Sequence, residues 1–293
     1  MDSTTEQVGL VRDFNRYYTR RLGVLTERYL DQDRPLSEAR LLFEIGDRAD
    51  VRDLRTRLGL DSGYLSRLLR SLAEQNLARV RPHPDDGRVR IVELTDAGIR
   101  ERTELDRRSS ASVNELLTRL TPGQRTQLIT AQTQIRRLLR SAAVLIETVD
   151  AASAPARQCL RAYADELTVR FPEGYDSGAL VDPDELTGDN GALLLAREED
   201  HPVGCGAWRA LGPGVAEVRH LWVSAEARGL GIGRRLLRAL ETAAAAHGAT
   251  VLRLGTHTTL TEAITLYRAS GYREIPPYDD SRYHHLHFEK TLA

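Results

Sequence analysis

The stretch Ala227-Arg228-Gly229-Leu230-Gly231-Ile232-Gly233-Arg234-Arg235-Leu236-Leu237 puts three glycines into five positions just ahead of a helical pattern. Glycine weakens helices, so its use there serves a backbone that must come very close to something. The run before it, Ala216 to Val223, is strand-like. The run after it places Ile232, Leu236, Leu237 and Leu240 on one helical face. A strand, a glycine loop and a helix N-terminus in that order make an anion site, because successive N–H groups face outward and the missing side chains admit a diphosphate. A Walker loop needs Gly-Lys-Ser/Thr, which is absent. A dinucleotide loop needs G-x-G-x-x-G at the first strand of a parallel unit, whereas here the spacing is R-x-x-G-x-G after a late strand.

The period of the apolar residues divides the chain. Residues 7–30 read as a long amphipathic helix, and a second helix follows Pro35-Leu36-Ser37, with Ser37 as its expected N-cap. Asp50 is placed to cap a helix carrying Val51, Leu54 and Leu58, which Gly59 ends. After a tight connection, Leu65, Leu68, Leu69 and Leu72 share the inner face of the next helix. The pattern then turns to strands around Pro84-Asp85-Asp86-Gly87, with a second strand expected from Arg88 to Leu94. Two helices, a short turn and a hairpin make a winged helix-turn-helix. Helices over 96–120 and from Thr121-Pro122 to about Ser141 follow. At Ala142 the pattern changes to a mixture of strands and helices with no Gly/Ser/Pro linker, so the expected domains are 1–141 and 142–293.

Charge follows the same division. The net charge of -1 conceals 26 Arg against 21 acids in residues 1–141, and 15 Lys and Arg against 21 acids in residues 142–293. A basic first half points to nucleic acid on that side only. The N-terminus has no apolar core of signal-peptide type, and the longest apolar runs, such as 142–146, are too short to span a bilayer. Two cysteines, Cys159 and Cys205, form no metal-type cluster, and nothing in the sequence requires a metal. A cytoplasmic location with no membrane partner is expected.

Residues 228–233 resemble the acyl-CoA loop of the GNAT acetyltransferases, and the likeness extends over residues 142–293, including Leu266-Tyr267 followed by Gly271-Tyr272. It implies acetyl-CoA as co-substrate. Arg228, Gly229, Leu230, Gly231, Ile232, Gly233 and Arg234 would hold the diphosphate, and the backbone at Leu221 and Val223 the pantetheine arm. By the same likeness Tyr267 would be the general acid toward the departing thiolate. Glu217 stands where these enzymes often place a carboxylate base acting through water, with His220 and His257 as alternatives. Where relatives often carry an Asn, this chain has Gly255 and His257, so its acceptor pocket is expected to differ.

Residues 7–141 resemble the MarR regulators: Asp86-x-Arg88 and Leu94-Thr95-x-x-Gly98 stand at the wing. That likeness implies a homodimer on an inverted-repeat operator in double-stranded DNA. Ser62, Tyr64, Ser66, Arg67 and Arg70 would lie on the major-groove helix, with Arg88 and Arg90 on the wing. The expected architecture is therefore two-domain. A mainly α, MarR-like winged helix-turn-helix precedes an α/β (α+β) GNAT acyl-CoA N-acyltransferase fold. The function that follows is a bifunctional regulator and N-acetyltransferase of a small amine. Two alternatives stand beside it: a regulator whose second half only senses a ligand, and an enzyme that uses the helices only to dimerise.

Overall fold

The computed structural model describes residues 3–21, 34–84, 86, 87, 89–199 and 201–292. It forms two compact units, Met1–Ile129 and Thr130–Ala293. The first contains α1 (Ser3–Arg21), α2 (Leu36–Ile45), β1 (Arg48–Asp50), α3 (Val51–Leu58) and α4 (Ser62–Glu74). The hairpin strands β2 (Ala78–Pro82) and β3 (Arg90–Leu94) follow, then α5 (Asp96–Thr118) and the start of α6 (Pro122–Ala143). Leu42, Leu54 and Leu72 bring α2, α3 and α4 into one core and are fully buried. A leucine in that state contributes about 2–5 kcal/mol, judged by truncation to alanine. The helix ends obey local chemistry. Asp50 accepts from the N–H groups of Arg52 and Asp53, and Gly59 takes the left-handed conformation that closes α3. At the end of the wing, Thr95 caps α5 by accepting from Gly98 N–H at 3.1 Å, while its own hydroxyl donates to Asn76 O at 2.6 Å. Gly98 is needed there because a Cβ would sit 2.0 Å from the Leu77 carbonyl oxygen.

In the second unit α6 ends in β4 (Val144–Val149), followed by α7 (Ala154–Arg170), three short 3₁₀ turns, β5 (Gly191–Glu198), β6 (His201–Gly212) and β7 (Val215–Val223). Then come α8 (Ile232–Ala246), β8 (Val251–Thr256), α9 (Thr261–Ala269), β9 (Arg273–Ile275) and β10 (Leu286–Thr291). The seven strands form one sheet in the order β4-β5-β6-β7-β8-β10-β9. Strand alternation sends Leu194 and Ala196 of β5 to the α8 side and Leu193 and Leu195 to the α7 side. Both faces of the sheet are covered.

Two irregularities of this sheet create space. The parallel pairing of β7 with β8 covers only Val215–Glu217 against Val251–Arg253. Past that point the strands part, while β7 keeps its other neighbour β6, and β8 keeps β10. In addition, β7 bulges between Arg219 and Trp222, where His220 has φ 53°. A bulge re-aims the side chains on either side of it.

Several sequence expectations change in detail. The N-cap of α2 is Pro35, which has no side-chain donor or acceptor, and Ser37 lies inside the helix. The first helix begins at Ser3, and residues 22–30 of the expected span lie outside the described residues. The second wing strand starts at Arg90 rather than Arg88, and Arg88 too lies outside the described residues. Strand β1, three residues that pair with β3, was not anticipated. The compact units divide inside α6, ahead of the change of period at Ala142, because its last turns bond into the sheet unit: Arg140 pairs with Glu198, its Nη2 at 2.6 Å.

Candidate functional site

The first turn of α8 has N–H groups with no acceptor inside the helix. Gly231 precedes it with φ 79°, a conformation that favours glycine, and no side chain caps the turn. These donors face a cavity of about 510 Å³ between the parted strand β7, α7 and α9. Of the residues expected to bind a diphosphate and its arm, Leu221, Val223, Arg228, Gly229, Gly231, Ile232, Gly233 and Arg234 line it. Leu230 does not: its side chain is buried in the core, and its carbonyl accepts from Ser141 Oγ at 2.8 Å. Arg140 reaches the same loop through Glu226 O at 3.4 Å. The guanidinium of Arg137 occupies the space beside Gly229, 2.9 Å from where a Cβ would be. The last turns of α6 are thus fastened to the glycine loop.

Sequence reasoning missed the opposite wall. Tyr163, Glu166, Leu167 and Arg170 of α7 line the cavity. Their i, i+3, i+4, i+7 spacing was visible in the sequence and marks one helical face. Glu166 accepts from Trp222 Nε1 at 2.8 Å and pairs with Arg170 and Arg228. Burial pushes its carboxyl up, but these bonds, first from Trp222 and then from the arginines, bring it below the ordinary carboxylate range. Arg170 also pairs with Glu262 at 2.6 Å. This wall holds its charges in mutual contact.

A second cavity, of about 70 Å³, lies beside the first and shares Tyr163, Leu167, Leu221, Leu260 and Ala263 with it. Aromatic rings of Phe171, Tyr175, His257 and Tyr283 are among its walls, and Tyr267 lines it too. Tyr267 is 6% exposed, and burial pushes its hydroxyl well above the ordinary phenol value, so the proton stays on.

The three base candidates fare differently. Glu217 is 1% exposed and is not among the residues lining either cavity. Its Oε2 accepts from Arg209 Nε at 2.8 Å and Arg219 Nη1 at 3.4 Å, and its Oε1 from Tyr278 Oη at 2.9 Å. His220 Nε2 accepts from Val181 N–H at 2.9 Å. Burial, with Arg219 and Arg209 nearby, pushes its imidazole down to about 3, so it stays neutral and takes no proton near neutral pH. His257 stacks on Phe171 at 4.1 Å. Both its nitrogens are engaged, Nδ1 by Thr259 N–H at 3.1 Å and Nε2 by Glu173 at 3.2 Å.

In the first unit, α4 turns Leu65, Leu68, Leu69 and Leu72 into the core, which leaves Ser62, Ser66, Arg67 and Arg70 exposed and Tyr64 half-buried. Arg67 lies over the Tyr64 ring at 5.6 Å. Arg90 is exposed at the start of β3. This is a cationic helix face of the kind that contacts phosphates and base edges.

A model of the Acetyltransferase (GNAT) family matches residues 158–272, and a model of the MarR family matches residues 32–89. An IAA acetyltransferase of Azospirillum brasilense is 36% identical over 104 residues, spanning 35% of this chain and 68% of that protein. An uncharacterized N-acetyltransferase of Schizosaccharomyces pombe is 34% identical over 91 residues, 30% of this chain and 56% of that protein. A MarR mutant from E. coli, solved in complex with operator DNA, has 22% identity and a TM-score of 0.38, covering 46% of this chain and 99% of that one.

Proposed function

This chain belongs to the GNAT acetyltransferases and carries a MarR-family segment ahead of that domain, and on that premise we propose a bifunctional protein. It binds an inverted-repeat operator as a homodimer and transfers acetyl from acetyl-CoA to a small amine or amino-acid-like substrate. The observation that carries the enzymatic half is the pair of adjacent cavities, one lined by the glycine loop and the other by Tyr267. Acetyl-CoA supplies the activated acyl group. The N–H groups at Gly231–Arg234 and the Arg228 and Arg234 guanidiniums hold its diphosphate, and the parted edge of β7 at Leu221 and Val223 holds its arm. Tyr267 keeps its proton for the departing sulfur. The small aromatic second cavity suits a compact acceptor, which favours a small molecule over a peptide. Both oxygens of Glu217 are already engaged, so its part is to hold Arg209, Arg219 and Tyr278 in place rather than to accept a proton.

The regulatory half rests on the exposed arginines of α4. Arg67→Ala and Arg70→Ala are each expected to weaken operator binding by about 1–3 kcal/mol and to lessen its dependence on salt. Anisotropy titration against the promoter region and against random duplex checks this. Affinity no better for the promoter than for random DNA leaves the helical half as a scaffold only. Exposed apolar residues on α1, among them Leu10, Val11 and Phe14, and Val113 on α5 suit a homodimer surface. A cytoplasmic place goes with this reading; among the described residues no helix is long and apolar enough to cross a membrane.

The division between units falls within α6, and the end of that helix is bonded to the glycine loop. We therefore expect the two activities to be coupled. Saturating acetyl-CoA should change operator affinity by about 5–150-fold, and operator should change acetyl-CoA affinity by the same factor. Superimposable titrations with and without the ligand mean two independent domains on one chain.

A further inference from the structure

The loop between β9 and β10 brings a histidine to the inner cavity that neither the sequence pattern nor the family likeness singles out. Asp279 accepts from Ser281 N–H at 3.0 Å, and His284 N–H donates to Ser281 O at 3.0 Å, so the loop turns back on itself. The turn sets the His284 ring against Asp279, with Nδ1 at 2.8 and 3.1 Å from the two carboxylate oxygens. The His284 side chain is 11% exposed and lines the second cavity together with Tyr267. Its ring lies directly on Gly255, where a Cβ would meet ring atoms at 2.3 Å. Gly255 lies, with His257, in the neighbourhood where the family likeness leads one to expect an Asn. The absence of a side chain at Gly255 makes the seat of the imidazole.

A carboxylate only accepts hydrogen bonds, so Asp279 fixes the proton on Nδ1 and leaves the Nε2 lone pair for another partner. We propose that His284, oriented by Asp279 and seated on Gly255, is the general base that takes the proton from the acceptor ammonium. The inference rests on the acetyl-transfer reading above. Nε2 removes one proton from R–NH₃⁺, and the freed lone pair forms the C–N bond at the acyl carbon. The C–S bond breaks, and the sulfur takes the Tyr267 proton. The second nitrogen proton returns through solvent to Tyr267, and His284 releases its own to solvent. The balance is one amide, one thiol and one proton.

The groups facing His284 are Asp279 on its own loop, Glu217 and Arg219 on β7, His220 at the β7 bulge and His287 on β10. Burial lowers the imidazole below its ordinary value, against the raising effect of Asp279 and with a further lowering by Arg219. The neutral base is therefore the resting form at neutral pH. Activity should hold as pH falls to the ordinary imidazole value and be lost below it.

The test uses the full chain with acetyl-CoA and two nucleophiles, 2-phenylethylamine, which is protonated at neutral pH, and hydroxylamine, which is not. His284→Asn should lower kcat/KM for phenylethylamine by about 10²–10⁴-fold and abolish the acidic limb of its pH profile. The loss with hydroxylamine should be much smaller, and acetyl-CoA affinity by calorimetry should stay. Gly255→Ala, which displaces the ring, should reproduce this selectivity. NMR titration of the coenzyme-free protein should show the His284 midpoint falling in Asp279→Asn. Equal losses with both nucleophiles, an unchanged acidic limb or an unmoved midpoint overturn the assignment. A wild-type protein that acetylates neither nucleophile overturns the acetyl-transfer reading, and this assignment with it.

Discussion

Tyr267→Phe is expected to lower kcat by about 10²–10⁴-fold while acetyl-CoA affinity stays where it was. The ring is packed between Tyr272 and Phe288, each with its centroid 6.0 Å away, and phenylalanine keeps that packing. Among the described residues the hydroxyl makes no hydrogen bond, so its removal orphans no partner and the melting temperature should barely move. On the acetyl-transfer reading, what the variant loses is the proton for the thiolate. Because burial raises the Tyr267 pKa, its protonated form persists through and above the ordinary phenol range, and no alkaline loss of kcat from this residue is expected near neutral pH. Stopped-flow thiol release with wild-type and variant protein gives the number. A variant that runs at full rate returns Tyr267 to a packing role.

Gly231→Val is expected to cost at least about 100-fold in acetyl-CoA affinity, about 2.7 kcal/mol. Two effects act together. A β-branched residue is poorly tolerated at φ 79°, at roughly 1–2 kcal/mol of strain. The built Cβ meets no protein atom within 4 Å, and Gly231 lines the cavity, so the added side chain would stand in the ligand's space. Gly231→Asn separates the two effects, since asparagine accepts the left-handed conformation but still adds a side chain. Calorimetry should show both variants weakened, with thermal stability reduced chiefly in the valine variant. Unchanged affinity in a folded asparagine variant removes Gly231 from the binding loop.

Much of the fold is legible in short stretches of the sequence. Asp50 with Gly59, Thr121 with Pro122 and the glycine loop are local signals, in which a few neighbouring residues decide the backbone. What stayed hidden depends on partners far along the chain. Arg48–Asp50 has no strand periodicity of its own and becomes β1 only because Ile91–Glu93 lies beside it. The positive φ at His220 follows from a register shift against β6, which no local pattern announces. His284 reads as the start of a strand, whereas it ends the loop just ahead of β10, and its meaning comes from Gly255 on another strand. The α7 wall is different: its spacing was in plain view, but nothing in one helix face says what it will face. The surroundings of Glu217 were hidden for a related reason, since sequence gives its strand and not the two arginines and the tyrosine around it.

The parting of β7 from β8 bears on more than binding. A strand edge inside a protein is a row of backbone donors and acceptors awaiting partners, and burying them unmet is costly. An arm bearing amide groups, laid along that edge, completes the ladder much as another strand would. On the acetyl-transfer reading, acetyl-CoA would finish the fold as well as feed the reaction, and by mass action a concentration of 100 times Kd would add about 2.7 kcal/mol against unfolding. A cell short of acetyl donor would hold less of this protein in its native form, so the supply of the donor would govern how long each copy survives as well as how fast it works.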